Sequence, residues 1–132
     1  MKVSASLKNE LNKHEIIVST NGDSKSISIS SKISGYGSSI NGAELLLLSL
    51  ATCYCNDIYR EAAKKNIFVV EVEVEVTGDF GAEGEPGRNF QYKPIIKSDA
   101  SPEQLEELIN HTDAIAEIHK TLRLGLDITL LK

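Results

Sequence analysis

The chain has no tryptophan, a single methionine, three prolines and two cysteines, and aromatic residues make up only 5% of its 132 positions. With so few rings, any core has to be mostly aliphatic. Positive charge is also scarce: 14 Lys and Arg stand against 19 Asp and Glu, a formal net charge of -5. The densest basic run, Lys64-Lys65, is short, so no basic face for phosphates is expected and no nucleic-acid partner. No stretch reaches the ~18 apolar residues of a membrane span. The apolar run Leu45–Ala51 therefore reads as a buried segment, and no membrane partner is expected. The N-terminal residues "MKVSASLKNELNKHE" lack the apolar centre of a secretory signal. Together with the low cysteine count this points to a reducing cytoplasm.

What is present suits one soluble domain, residues 1–132, with 41% hydrophobic and 25% charged residues. Residues 3–8, 14–20 and 25–31 alternate or carry β-branched side chains, and Asn21-Gly22 is a strong hairpin signal. Residues 1–40 are thus expected to form an antiparallel meander ending in the Gly/Ser-rich "SGYGSSINGA". Asn41 can cap a helix, with Glu44 in capping-box position, and this long helix is expected within 41–66. Its first half is apolar on nearly every side, and a helix apolar all round is buried all round. That hints at a partner subunit. "FVVEVEVEVTGDF" alternates strictly, with Val70, Val72, Val74 and Val76 on one face. "FQYKPIIKSD" resumes as a strand that Pro94 marks as an edge or a bulge. Ser101, Pro102 and Gln104 open a further helix, which is expected to break at Asp113 or nearby before "AIAEIHKTLRLG", a second helical stretch stopped by Gly125. "LDITLLK" is expected to close the chain as a strand. The class is α+β, with a ββααβ arrangement over 67–132.

Both cysteines, Cys53 and Cys55, lie in the long helix. At ~100° per residue they diverge by about 200°. A disulfide between them would need Cβ atoms within ~4.5 Å and so an unwound helix. A shared metal is disfavoured for the same reason, and His14, His111 and His119 form no ligand motif. No metal and no cofactor are expected. A nucleophilic thiol needs a lowered pKa. Asp57, one turn beyond Cys53, would raise it, whereas Arg60 would lower it. The bland alternative is that both cysteines fill the core, since free cysteine is among the most buried residues.

The stretch "ELLLLSLATCYCNDIYREAAKKNI" followed by "VEVEVTGDF", and then "SDASPEQLEELINHTDAIAEIHKTLRLGLDITL", resembles the OsmC/Ohr family. The resemblance implies an intertwined homodimer with the long helices at its centre. It also implies an apolar site at the dimer interface. Active members reduce organic hydroperoxides with two cysteines and an arginine; one cysteine attacks and becomes a sulfenic acid, and the second closes a disulfide. By position Cys53 matches the attacking cysteine, and Cys55 matches no role. Where the second cysteine belongs the chain reads "AEIHKTL", with Ala116 in its place. The hydroperoxide branch has a glutamate where Ala43 stands, while Glu44 fits a different branch as well as a capping box. That branch takes its arginine from the N-terminal sheet, but no arginine precedes Arg60. Arg60 and Arg88 are the substitutes within reach, and His119 lies near the missing cysteine.

Three functions follow as expectations. One is a thiol-dependent peroxidase, using Cys53 and an external thiol reductant in defence against oxidative stress. Another is a non-catalytic protein holding a small apolar ligand in a dimer cleft lined by leucines, Tyr54, Tyr59 and Tyr92. The last is a purely structural role, because fold does not confer function by itself.

Overall fold

A two-residue hairpin turn that matches strand twist needs positive φ at both central positions, which Asn and Gly tolerate best. Asn21 and Gly22 supply it, with φ of 50° and 93°. They join β2 (Lys13–Thr20) to β3 (Asp23–Ile27), while β1 (Val3–Glu10) pairs with the other edge of β2. The computed structural model describes all 132 residues. It divides into two compact units, Met1–Leu45 and Leu46–Lys132.

In the first unit the sheet order is β1-β2-β3, all antiparallel, as the alternation predicts. The third strand stops at Ile27 instead of running on to residue 31, and beyond it the chain forms only an isolated Ser31–Ser38 bridge. Ile16 is the one apolar side chain in this unit that is buried; Val3, Leu7, Leu11 and Ile27 stand exposed. At its end Asn41 and Glu44 form the reciprocal capping box, each side chain accepting from the other's backbone N–H at 2.8 Å.

That cap opens α1 (Gly42–Lys64), most of which belongs to the second unit. Its buried positions, Leu50, Tyr54, Asp57, Ile58, Glu61 and Ala62, recur at helical spacing and make one inward stripe. Leu45 and Leu48 in the apolar first half are exposed. Asn66, at φ 54°, ends the helix in the left-handed conformation, and the N–H of Ile67 returns to the carbonyl of Ala62 at 2.9 Å.

The strands β4 (Val69–Asp79) and β5 (Arg88–Ser98) form an antiparallel pair. Val72 and Val74 pack on the core formed by Tyr54, Ile58, Ala62, Leu108 and Ala116. Val70 departs from the expected face. The register shifts between Val69 and Glu71, so Val69 turns inward and Val70 is left 65% exposed. Pro94 sits opposite Val74 in this two-stranded sheet, where a residue without an N–H costs little because β5 is an edge.

Ser101 caps α2 (Pro102–Ile115) in a full capping box with Gln104. The helix breaks at Ala116, three residues beyond Asp113 and within the expected stretch; the Asp113 carboxylate is taken up by Tyr92 and Arg123. The short α3 (Glu117–Leu124) ends at Gly125, whose φ is 75°. The expected closing strand is absent: residues 125–132 have no regular structure, and Leu126, Ile128, Leu130 and Leu131 are exposed. A strand needs an edge to bond to, and 125–132 bond to neither β4 nor β5.

Candidate functional site

Cys53, Asp57, Arg60 and Glu61 lie at i, i+4, i+7 and i+8 on α1, so their side chains share one face of the helix. The N-terminus of α3 meets that face. The Cys53 Sγ is 3.7 Å from Asp57 Oδ2 and 4.0 Å from Glu117 Oε2, the first residue of α3. The backbone of Ile118 also acts on the sulfur, favouring the thiolate. Ala116, Glu117 and Ile118, the segment that the resemblance aligns with the second cysteine, thus lie against Cys53.

The charge around the sulfur favours the neutral thiol. Burial pushes the Cys53 pKa above its ordinary 9.0; the Ile118 backbone opposes this, and the charges of Asp57 and Glu117 add to it. The cation at the site is Arg60, but it serves the carboxylates. Its Nη1 is 2.7 Å from Asp57 Oδ1 and 3.8 Å from Glu117 Oε1, and its Nε donates to Glu61 Oε1 at 2.8 Å. Asp57, almost fully buried, is raised from the usual carboxylate value because burial outweighs the pull of Arg60. Glu61 goes the other way, down to about 2, held as an anion by Lys64, then Arg60, with His111 also bonded to it.

The ligating atoms of Cys53, Asp57 and Glu117 all lie within 4.8 Å of one another, close enough to share a metal ion. The Arg60 guanidinium already supplies positive charge there. Cys55 diverges from Cys53, as the helical spacing predicts. It lines a depression with Ala51, Thr52, Val72 and Val74, and both thiols are free.

Of the other residues singled out in the sequence, Glu44 is engaged in the α1 cap and lies in the first unit. Arg88 is exposed at the start of β5, opposite Asp79. His119 is buried on α3, with its ring centroid 4.7 Å from that of Tyr92 and 5.7 Å from that of Tyr54. It forms no hydrogen bond to Cys53. Tyr54 donates to the carbonyl of Ile109 at 2.9 Å, and Tyr92 donates to Asp113, which Arg123 clamps at 2.6 Å. Both tyrosine pKa values are raised, chiefly by burial. Sequence reasoning brings Cys53, Asp57 and Arg60 together but misses Glu117 and the Tyr92–Asp113–Arg123 chain. The one available signal for Glu117 is its place directly after Ala116.

The OsmC-like protein family model matches residues 35–131, and the chain belongs to that family. Solved structures agree in fold. An OsmC-like protein from Mycoplasma pneumoniae is 20% identical, over 92% of this chain and 86% of its own, with a TM-score of 0.63. The organic hydroperoxide resistance protein OhrB of Bacillus subtilis is 15% identical, over 91% and 89%, with a TM-score of 0.57. An organic hydroperoxide resistance protein OsmC from Legionella pneumophila is 16% identical, over 93% and 90%, with a TM-score of 0.58. No curated protein sequence matches the chain. No helix is long and apolar enough to cross a membrane.

Proposed function

We propose that this OsmC-family protein reduces organic hydroperoxides with Cys53 as the sole reacting thiol. The observation that carries the reading is the contact of Cys53 Sγ with Asp57 Oδ2 at 3.7 Å, in a carboxylate cluster that includes Arg60. A buried carboxylate of raised pKa is a competent proton acceptor. The thiol attacks the terminal peroxide oxygen as its proton passes to Asp57. The O–O bond breaks, the leaving alkoxide takes the proton from Asp57, and the products are a Cys53 sulfenic acid and an alcohol. In this reading Arg60, which pairs with the same carboxylates, turns to hydrogen-bond the departing oxygen. With Ala116 in the second-cysteine position, an external thiol has to condense with the sulfenic acid, releasing water, and a second thiol then restores Cys53. Such a cycle suits a reducing cytoplasm.

The working unit in this proposal is a homodimer in which both compact units belong to one domain. The exposed Leu45, Leu48, Leu126, Ile128, Leu130 and Leu131 and the thinly covered first sheet support it. A second copy provides both apolar cover and an edge for residues 125–132.

The test is stopped-flow reaction of the reduced protein with cumene hydroperoxide, with sulfur oxidation read by mass spectrometry in Cys53→Ser and Cys55→Ser variants. Oxidation far faster than that of a free thiol, lost only in Cys53→Ser, supports the proposal. A rate no better than free thiol removes it. The raised thiol pKa favours a second reading in that event, a non-catalytic member that binds a small apolar ligand.

A further inference from the structure

The helix α3 buries one side chain, and that side chain is a histidine, His119. Helices ordinarily dock through an apolar stripe that cannot change its charge. Here the buried anchor is a group that titrates near neutral pH. Little else holds α3 in place. Its N-cap is Ala116, which makes no side-chain bond to the helix, and residues 125–132 beyond it have no regular structure. Its ion pairs, Arg123 to Asp113 and Glu117 to Arg60, join exposed side chains, where such pairs contribute little.

The interior around the ring cannot accept a second proton. Both ring nitrogens are closed to solvent and without a hydrogen-bond partner. An imidazolium has two N–H donors to satisfy, and an unpaired buried charge costs far more than an unpaired neutral ring. Tyr54 from α1 and Tyr92 from β5 face His119 as neutral rings, with centroids 5.7 and 4.7 Å away. Asp113 from α2 is engaged by Tyr92 and Arg123, and Arg123, on α3 itself, repels a positive ring. Of these groups only His119 changes charge between pH 7.5 and 5: the tyrosines and Arg123 are raised, and Asp113 is lowered.

The same helix covers the thiol. Glu117, two residues before His119, lies 4.0 Å from the Cys53 sulfur, and the Ile118 backbone acts on it as well. We propose that α3 is an acid-released latch on Cys53: His119 leaves the interior as it takes up a proton, and the start of α3 comes off the sulfur with it. A ring that can be protonated only when it is out, with the ordinary pKa of 6.5, makes opening about thirtyfold more favourable at pH 5 than at pH 7.5. The latch works on access to Cys53, so the inference stands whether or not the thiol turns over peroxide.

The test is amide hydrogen exchange of the full chain, read residue by residue by NMR between pH 7.5 and 5 and corrected for the intrinsic exchange rate at each pH. The amides of α3 are expected to open more readily than those around Ile58 in α1 at every pH. Their protection is expected to fall about thirtyfold toward pH 5. In His119→Phe that fall disappears. Cys53 is followed in a Cys55→Ser background with dithiodipyridine, a disulfide that reacts with thiols in mild acid. Its rate relative to a small free thiol is expected to rise toward pH 5, and to rise less when His119→Phe is added. The inference is overturned by α3 protection that is unchanged between pH 7.5 and 5, by α3 amides that exchange only together with those of α1, or by a Cys53 response that is the same with and without His119→Phe. Should His119→Phe not fold, the exchange of α3 against α1 in the unaltered protein decides the matter.

Discussion

Replacing Glu117 by Gln should make Cys53 more acidic, and the size of the effect follows from the geometry. The Glu117 carboxylate lies 4.0 Å from the sulfur and its side chain is 67% exposed. Two unit charges at 4 Å interact by ~1 kcal/mol in water and by ~4 kcal/mol at the effective dielectric of a protein surface. With that exposure the lower figure applies, so removing the charge raises the thiolate population at neutral pH by about fivefold. A less basic thiolate is also a weaker nucleophile, so the gain in alkylation rate shrinks to about two- to threefold. Asp57→Asn acts at 3.7 Å on a nearly buried group, so its effect on the thiolate population should be larger, whereas peroxide reduction, which uses Asp57 to carry the proton to the leaving alkoxide, should be lost. It also frees Arg60 to turn toward the sulfur. The assay is iodoacetamide alkylation across pH in a Cys55→Ser background, paired with thiolate absorbance. An unchanged or slower reaction in Glu117→Gln would refute the idea that these carboxylates hold Cys53 as a thiol. The same arrangement carries a linkage. Because the folded thiol holds its proton above the ordinary value of 9.0, the native state binds more protons there than the unfolded chain. Stability therefore falls as pH rises through that region.

His119 carries an opposite linkage. Burial and Arg123 lower its pKa below 6.5, while Asp113 pulls the other way and the Tyr54 and Tyr92 rings facing it are neutral. The unfolded chain therefore takes up the proton first as pH falls, and stability present at pH 7 should decline toward pH 5; thermal melts of His119→Phe should lack that part of the slope. Ile58→Ala empties a fully buried position at the centre of the core, and chemical denaturation should read a loss of about 2–5 kcal/mol. Ser101→Ala removes the side-chain half of the α2 capping box, and the same measurement should read about 1 kcal/mol.

Local chemistry makes much of the fold legible. Asn21-Gly22 marks the first sheet, Asn41 and Glu44 mark the start of α1, Ser101 and Gln104 that of α2, and Gly125 ends α3. Each works through its own backbone or a neighbour three residues away, which a linear reading can see. Two expectations fail where the deciding partner is remote. Val70 leaves the core face because β5 sets a shifted register on β4. Residues 125–132 carry a strand's composition, but composition cannot provide a neighbouring edge.

For the candidate site, sequence by itself determines that Cys53 and Cys55 diverge and that Asp57 and Arg60 stand on the face of Cys53, because helical periodicity places residues four and seven apart together. It also determines the family, through the order of helix, strands and segments around Cys53. Only tertiary structure decides that Glu117 reaches the sulfur, that Arg60 serves carboxylates, and that His119 is buried with its nitrogens unpaired. Those facts depend on how α3 docks against α1 and β5. The charge state of a thiol or an imidazole is set by whatever lies within a few ångströms, however far away in the chain.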